Sequence, residues 1–141
     1  MKVALLFAGV MGVCGCALQE AKPLAKPGPD AGKVVLMRGN TLPFRHGANV
    51  KVDGNYVGFL CANEYLELKL APGPHRMQLA SPLWGREGLV VNETIHLQRR
   101  STEYFTLGVD RYAMAVRTTL QKMNPERARE LLKEYKPAGT D

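Results

Sequence analysis

The sequence is poor in the groups that most enzymes and metal proteins need. Its three histidines, His46, His75 and His96, stand far apart. No His-x-x-x-His or Cys-x-x-Cys spacing brings ligands together, so neither a metal site nor a cofactor is expected. No Gly-x-Ser-x-Gly elbow and no phosphate loop is present. Glu64 and Glu67 are near neighbours, but residues three apart on a strand face opposite sides, which argues against a carboxylate pair. No nucleophile stands beside a base, so no catalytic residue is assigned. Lysine and arginine are nowhere densely interleaved with aromatics, which speaks against nucleic acid as a partner. The apolar stretch from Val3 to Val13 is too short to span a bilayer, which takes about 20 residues.

What is present begins at the N-terminus. Met1-Lys2 is followed by the apolar stretch and then by Cys14-Gly15-Cys16. One positive charge, an apolar core and small residues at its end are the three parts of a secretory signal. A short buried helix is the alternative. Gly9, Gly12 and Gly15 weaken it, and no amphipathic period is visible. The formal net charge is +6, and removing Lys2 with the signal leaves 18 basic against 13 acidic residues, or +5. That modest excess favours anionic envelope surfaces over acidic solutes.

Val13-Cys14-Gly15-Cys16 resembles the lipobox of bacterial lipoprotein precursors. The resemblance implies cleavage between Gly15 and Cys16 and diacylglycerol on the Cys16 sulfur, with a further acyl chain on the new N-terminus common in the class. Two or more chains anchor stably where one does not, each buried methylene contributing about 0.8 kcal/mol. Ala17 follows the cysteine where some lipoproteins carry Asp. In Gram-negative bacteria that resembles cargo passed to the outer membrane, facing the periplasm. With Cys14 removed and Cys16 lipidated, Cys61 has no intramolecular partner. It reads as a small buried hydrophobe, since nothing local supplies the base or positive setting that a nucleophile needs.

The chain then divides into 1–15 as signal, 16–32 as a flexible Pro/Gly tether and 33–136 as one domain. Val34 to Met37 is a short apolar run. Asn49 to Val52 alternates and meets Asp53-Gly54, a tight turn into Tyr56–Leu60. Leu66, Leu68 and Leu70 share one face, Ala71-Pro72-Gly73-Pro74 breaks the strand, and Met77 and Leu79 point inward after it. Leu89, Val91, Ile95 and Leu97 share a parity that Glu93 also occupies, which predicts a bulge or break near Asn92. Phe105, Leu107 and Val109 line one strand; Met114, Val116 and Leu120 line another. Asn124-Pro125 starts a helix whose apolar stripe is Ala128, Leu131, Leu132 and Tyr135, ended by Lys136-Pro137. The expected fold is mainly β, a small β-sandwich with one C-terminal amphipathic helix.

The hairpin Val50–Gly58, followed by Leu66–His75 with its Leu-x-Pro-Gly-x-His turn, resembles PEGA-type β-sandwich modules. It is closer to an uncharacterised lipoprotein family that carries a domain of unknown function. There, a later strand ends in a Tyr-Phe-x-x-Gly sequence, matched here by Tyr104–Gly108. Cys61-Ala62-Asn63-Glu64 departs from the usual residues after the hairpin. The matching motifs are turns, and Asp53, Gly54, Pro72 and Gly73 are expected to act structurally. The His75 ring is placed to hydrogen-bond across its turn.

Trp84 lies in Ser81–Gly88, read as a loop. Trp84 with Arg86 is either a partner contact, because tryptophan is frequent at binding hot spots, or a cover for the core edge. The expected function is a non-enzymatic binding or scaffold module of the cell envelope. It is held to the membrane through Cys16 and contacts an envelope protein or cell-wall polymer. The alternative is an envelope hydrolase whose site is assembled from distant residues.

Overall fold

A computed structural model describes residues 26–40, 47–83, 86–112 and 115–139, and the side chains of 82–83, 86–90, 110–112 and 115–116 are not described. The elements are β1 (Gly32–Arg38), β2 (Ala48–Val52), β3 (Asn55–Leu60), β4 (Glu64–Leu70), β5 (Gly73–Leu83), β6 (Arg86–Leu97), β7 (Thr102–Tyr112), β8 (Ala115–Met123), α1 (Pro125–Leu132) and β9 (Lys136–Pro137). They form a five-stranded sheet, β8-β7-β1-β4-β9, and a four-stranded sheet, β3-β2-β5-β6. The described residues are mainly β and sandwich-like, with one short helix among them.

Alternation places the core between the sheets. Val34 and Leu36 of β1 meet Val50 and Val52 of β2, Met77 and Leu79 of β5, and Phe105 and Leu107 of β7. The other parity of β1 is buried too: Val35 and Met37 pack with Tyr104 and Ala128 under α1. A strand covered on both faces reads as a continuous apolar run, which is what Val34–Met37 is. Complete burial of such side chains stabilises by about 1.5–3 kcal/mol each.

The helix starts where Asn124 accepts from the backbone N–H groups of Glu126 and Arg127, at 2.8 and 3.4 Å. Its stripe lies on the outer face of the five-stranded sheet, with Leu131, Leu132 and Tyr135 against that second cluster. The helix is shorter than its stripe. It stops at Leu132, and Lys136-Pro137 pairs in parallel with Glu64-Tyr65 of β4. The expected terminator is thus itself a strand, held by Lys136 N–H to Asn63 O at 3.0 Å and Ala138 N–H to Tyr65 O at 2.7 Å.

Two further expectations are corrected. Ser81–Gly88 is not a loop: β5 and β6 stay paired to Leu83↔Arg86, leaving only Trp84 and Gly85 between them. Among the described residues β2 pairs with β5 only over Met77–Ala80, so Pro82 lies beyond that pairing, where a missing N–H is tolerated. The second correction is of position alone: the irregularity expected near Asn92 is present in β6, two residues earlier. Leu79 pairs with Val91 and Ala80 with Leu89, so Val90 is the extra residue. Glu93 stays in register because its Oε1 accepts the Leu120 N–H at 3.2 Å, joining β6 to β8 across the sandwich edge.

β1 enters close against the turn after β6. A Cβ on Gly32 would lie 2.7 Å from Leu97 Cγ and 2.9 Å from the Gln98 carbonyl, so only glycine fits without displacement. Just before it, Ala31 N–H donates to Gly28 O and Arg100 N–H to Asp30 O, so residues 28–31 are bound to the domain.

Candidate functional site

Three polar assemblies stand out from this frame. The first joins the β2–β3 hairpin turn to the connection from β4 to β5, which crosses between the sheets. Asp53 and Gly54 have φ of +51° and +82°, the paired positive values of a type I′ turn. The Asp53 carboxylate reaches across to the start of β5. Its Oδ1 accepts the Arg76 N–H at 2.8 Å, and its Oδ2 accepts from His75 Nδ1 at 2.7 Å. The other ring nitrogen, Nε2, donates to the Ala71 carbonyl at 2.6 Å. Both ring nitrogens therefore face acceptors, an arrangement that suits the imidazolium, in which both carry protons. Burial alone would lower the His75 pKa. The Ala71 carbonyl, the Asp53 hydrogen bond and the Asp53 charge outweigh it and leave the pKa raised. Burial likewise opposes ionisation of Asp53. The hydrogen bonds from His75 and Arg76 and the charge of His75 overcome it, and its pKa is lowered.

The second assembly closes one end of the core. Arg38 shares the inward parity of Val34 and Leu36 and is 1% exposed. Its Nη1 donates to the Leu60 carbonyl at 2.9 Å. Burial lowers its pKa, and the charge of Glu64, its cross-strand partner, opposes that. Glu64 Oε2 accepts the Cys61 N–H at 2.9 Å, and the Asn63 N–H donates to the Arg38 carbonyl at 2.8 Å. The crossover Cys61-Ala62-Asn63 is thereby clamped, with Asn63 at φ +58°. Cys61 is in a disulfide whose other half lies outside the described residues. The full-length chain still carries Cys14 and an unlipidated Cys16, whereas the expectation of an unpartnered thiol is for the processed protein; the expected burial of Cys61 is present.

The third is a cleft of about 460 Å³ at the base of β1, between Pro27–Gly28, the strand pair Lys33–Lys69 and the turn Arg100-Ser101-Thr102. Lys33 is ion-paired to Glu67 at 3.5 Å. Asp30 takes Arg99 at 3.0 Å and Arg100 at 3.3 Å. This cleft is not visible in the sequence because three separate segments supply it. The Arg99-Arg100 doublet in a tight turn is the one local signal.

Of the residues singled out in sequence, Asp53, Gly54, Pro72 and Gly73 lie in the turns expected, and Gly73 has φ +119°. Asp53 also fastens its turn to the next one through His75. Gly15, Cys16 and Trp84 lie outside the described residues. Arg86 begins β6, and only its backbone placement is described. Among the described residues no three His, Cys, Asp or Glu side chains converge. Among them, too, no helix is long and apolar enough to cross a membrane. No family model and no curated protein matches the chain.

Proposed function

We propose that the chain is a cell-envelope lipoprotein, anchored by lipid on Cys16, whose β-sandwich is a non-enzymatic binding or scaffold module. Anchoring rests on Val13-Cys14-Gly15-Cys16 and the apolar stretch before it. The observation that carries a binding role over a catalytic one is the state of His75. An Asp–His pair is two thirds of a hydrolytic triad, in which the outer nitrogen takes a proton from the nucleophile. Here the outer nitrogen is already engaged by the Ala71 carbonyl at 2.6 Å. An imidazole whose outer nitrogen is capped in this way is not placed to take a proton from a nucleophile. This pair joins turns.

The partner is an envelope protein or cell-wall polymer, and the outer-membrane leaflet facing the periplasm is the proposed location. Arg86, the first residue of β6, and Trp84, two positions before it in the sequence, are the proposed contact. Replacing both by Ala should weaken capture of a partner from envelope extracts and leave thermal stability nearly unchanged. A collapse of stability would instead make Trp84 a core residue. Turnover of a cell-wall or lipid substrate by the purified protein, abolished by one point substitution, would overturn the binding reading.

The disulfide at Cys61 bears on the anchor through simple chemistry. The chain has only two other cysteines, Cys14 and Cys16. A bond to Cys14 exists only while the signal is attached, and a bond to Cys16 excludes lipid on the same sulfur. Fatty-acid labelling of cells making the natural protein or Cys16→Ser tests the anchor. Labelling that persists in the variant would reject Cys16 as the site.

A further inference from the structure

We infer that the basic cleft at the base of β1 is a second membrane contact, which seats the headgroups of anionic lipids. Lys33 and Lys69 are direct cross-strand partners on the antiparallel pair β1–β4. Like charges so placed destabilise a sheet. Glu67 answers Lys33 at 3.5 Å, but Lys69 has no carboxylate within ion-pair distance among the described residues. On the other side of Lys33 lies Thr102 of β7, and beyond it the Arg99-Arg100 turn. Arg99 and Arg100 share the single carboxylate of Asp30 and are 70% and 72% exposed. Lys33, Lys69 and Arg100 line the open cleft; with the neighbouring Arg99, four cations are answered by two carboxylates, and an anion entering the cleft relieves the Lys33–Lys69 repulsion. Arg100 holds φ +52°, a conformation that glycine or asparagine adopts more readily.

The position of the cleft selects the source of the anion. Its wall includes Pro27 and Gly28, the segment by which the chain enters the domain. Pro29 is thirteen residues from Cys16, so the cleft is within about 45 Å of that residue in any conformation. On the lipoprotein reading, on which this inference rests, the basic end is held near the bilayer surface and meets a high local density of phosphate. Each cation at an anionic leaflet then strengthens the contact roughly fivefold.

The test places the purified full-length protein on vesicles of phosphatidylcholine alone, or of phosphatidylcholine with phosphatidylglycerol. Lysines are labelled with an amine-reactive reagent and read by mass spectrometry. Lys33 and Lys69 should be labelled severalfold less on the anionic vesicles, and the protection should vanish in molar salt, where screening acts within about 3 Å. Lys122 and Lys133, 64% and 68% exposed, should be labelled alike on both. Arg99→Gln with Arg100→Gln should remove the protection of Lys69. Equal labelling of Lys33 and Lys69 on both vesicles overturns the inference. So does parallel protection of Lys122 and Lys133, or equal protection by glycerol phosphate without vesicles. Flotation with neutral vesicles reads the lipid anchor by itself, so failure of the anchor and failure of the cleft give different results.

Discussion

Raising the pH above neutrality should loosen the protein through His75, and His75→Gln should abolish that dependence. The His75 pKa is raised in the folded state, from an ordinary value near 6.5. Its contribution is therefore complete below about pH 6.5 and is lost as pH rises through the folded pKa. Asp53 has the opposite sign. Its lowered pKa gives stability that is present above the ordinary carboxylate value and lost as pH falls through the folded one. The clasp is complete between those limits. The His75 side chain is 12% exposed and Asp53 45%, so solvent screens the pair in part. Two charge-assisted hydrogen bonds, discounted for that exposure, contribute about 1–2 kcal/mol. For a domain of this size that is roughly 4–8 °C in Tm. Thermal unfolding followed by circular dichroism at about pH 5.5 and about pH 9 reads the effect. The natural protein should lose most of that increment at the higher pH, whereas His75→Gln should start lower and stay nearly flat. Asp53→Asn combined with His75→Gln should cost less than the two single changes added together. Parallel pH profiles for the natural protein and His75→Gln would refute the reasoning.

Arg38→Ala should destabilise the fold by about 3 kcal/mol, because it strips the Leu60 carbonyl and Glu64 of their buried cationic partner. Arg38→Met, which fills the volume, should cost less; urea unfolding compares the two. Asn124→Ala should cost about 1 kcal/mol, since the side chain accepts from two N–H groups of the first helical turn. That loss should appear first as faster amide exchange in Pro125–Leu132.

Much of the fold is legible in the sequence because burial on one face writes an alternating pattern. Val50 and Val52, Met77 and Leu79, and Phe105 and Leu107 all reach the core their parity predicts. Asp53-Gly54 and Asn124-Pro125 are legible for a different reason, since each supplies the local chemistry of a turn or a cap. The failures also have physical causes. The hairpin through Ser81–Gly88 looks like a loop because Pro82 and its glycines break the strand pattern, and the pairing that carries β5 and β6 on to Leu83↔Arg86 is a fact of tertiary structure. The bulge expected near Asn92 from the parity of Glu93 falls at Val90, because a shifted parity marks that a residue is inserted without fixing which one. The charges carry the weakest signal. Asp30, Lys33, Lys69 and Arg100 lie up to 70 residues apart and share a site only once β1 lies between β4 and β7. The proposed anchor is the reverse case, since its whole argument lies in the first sixteen residues.

The most direct test of the central claim is mass spectrometry, without prior reduction, of the protein extracted from membranes of cells that produce it. The N-terminal peptide should begin at Cys16 and carry the mass of diacylglycerol on its sulfur. A peptide that still contains residues before Cys16, or a Cys16–Cys61 disulfide in place of the lipid, would contradict the account.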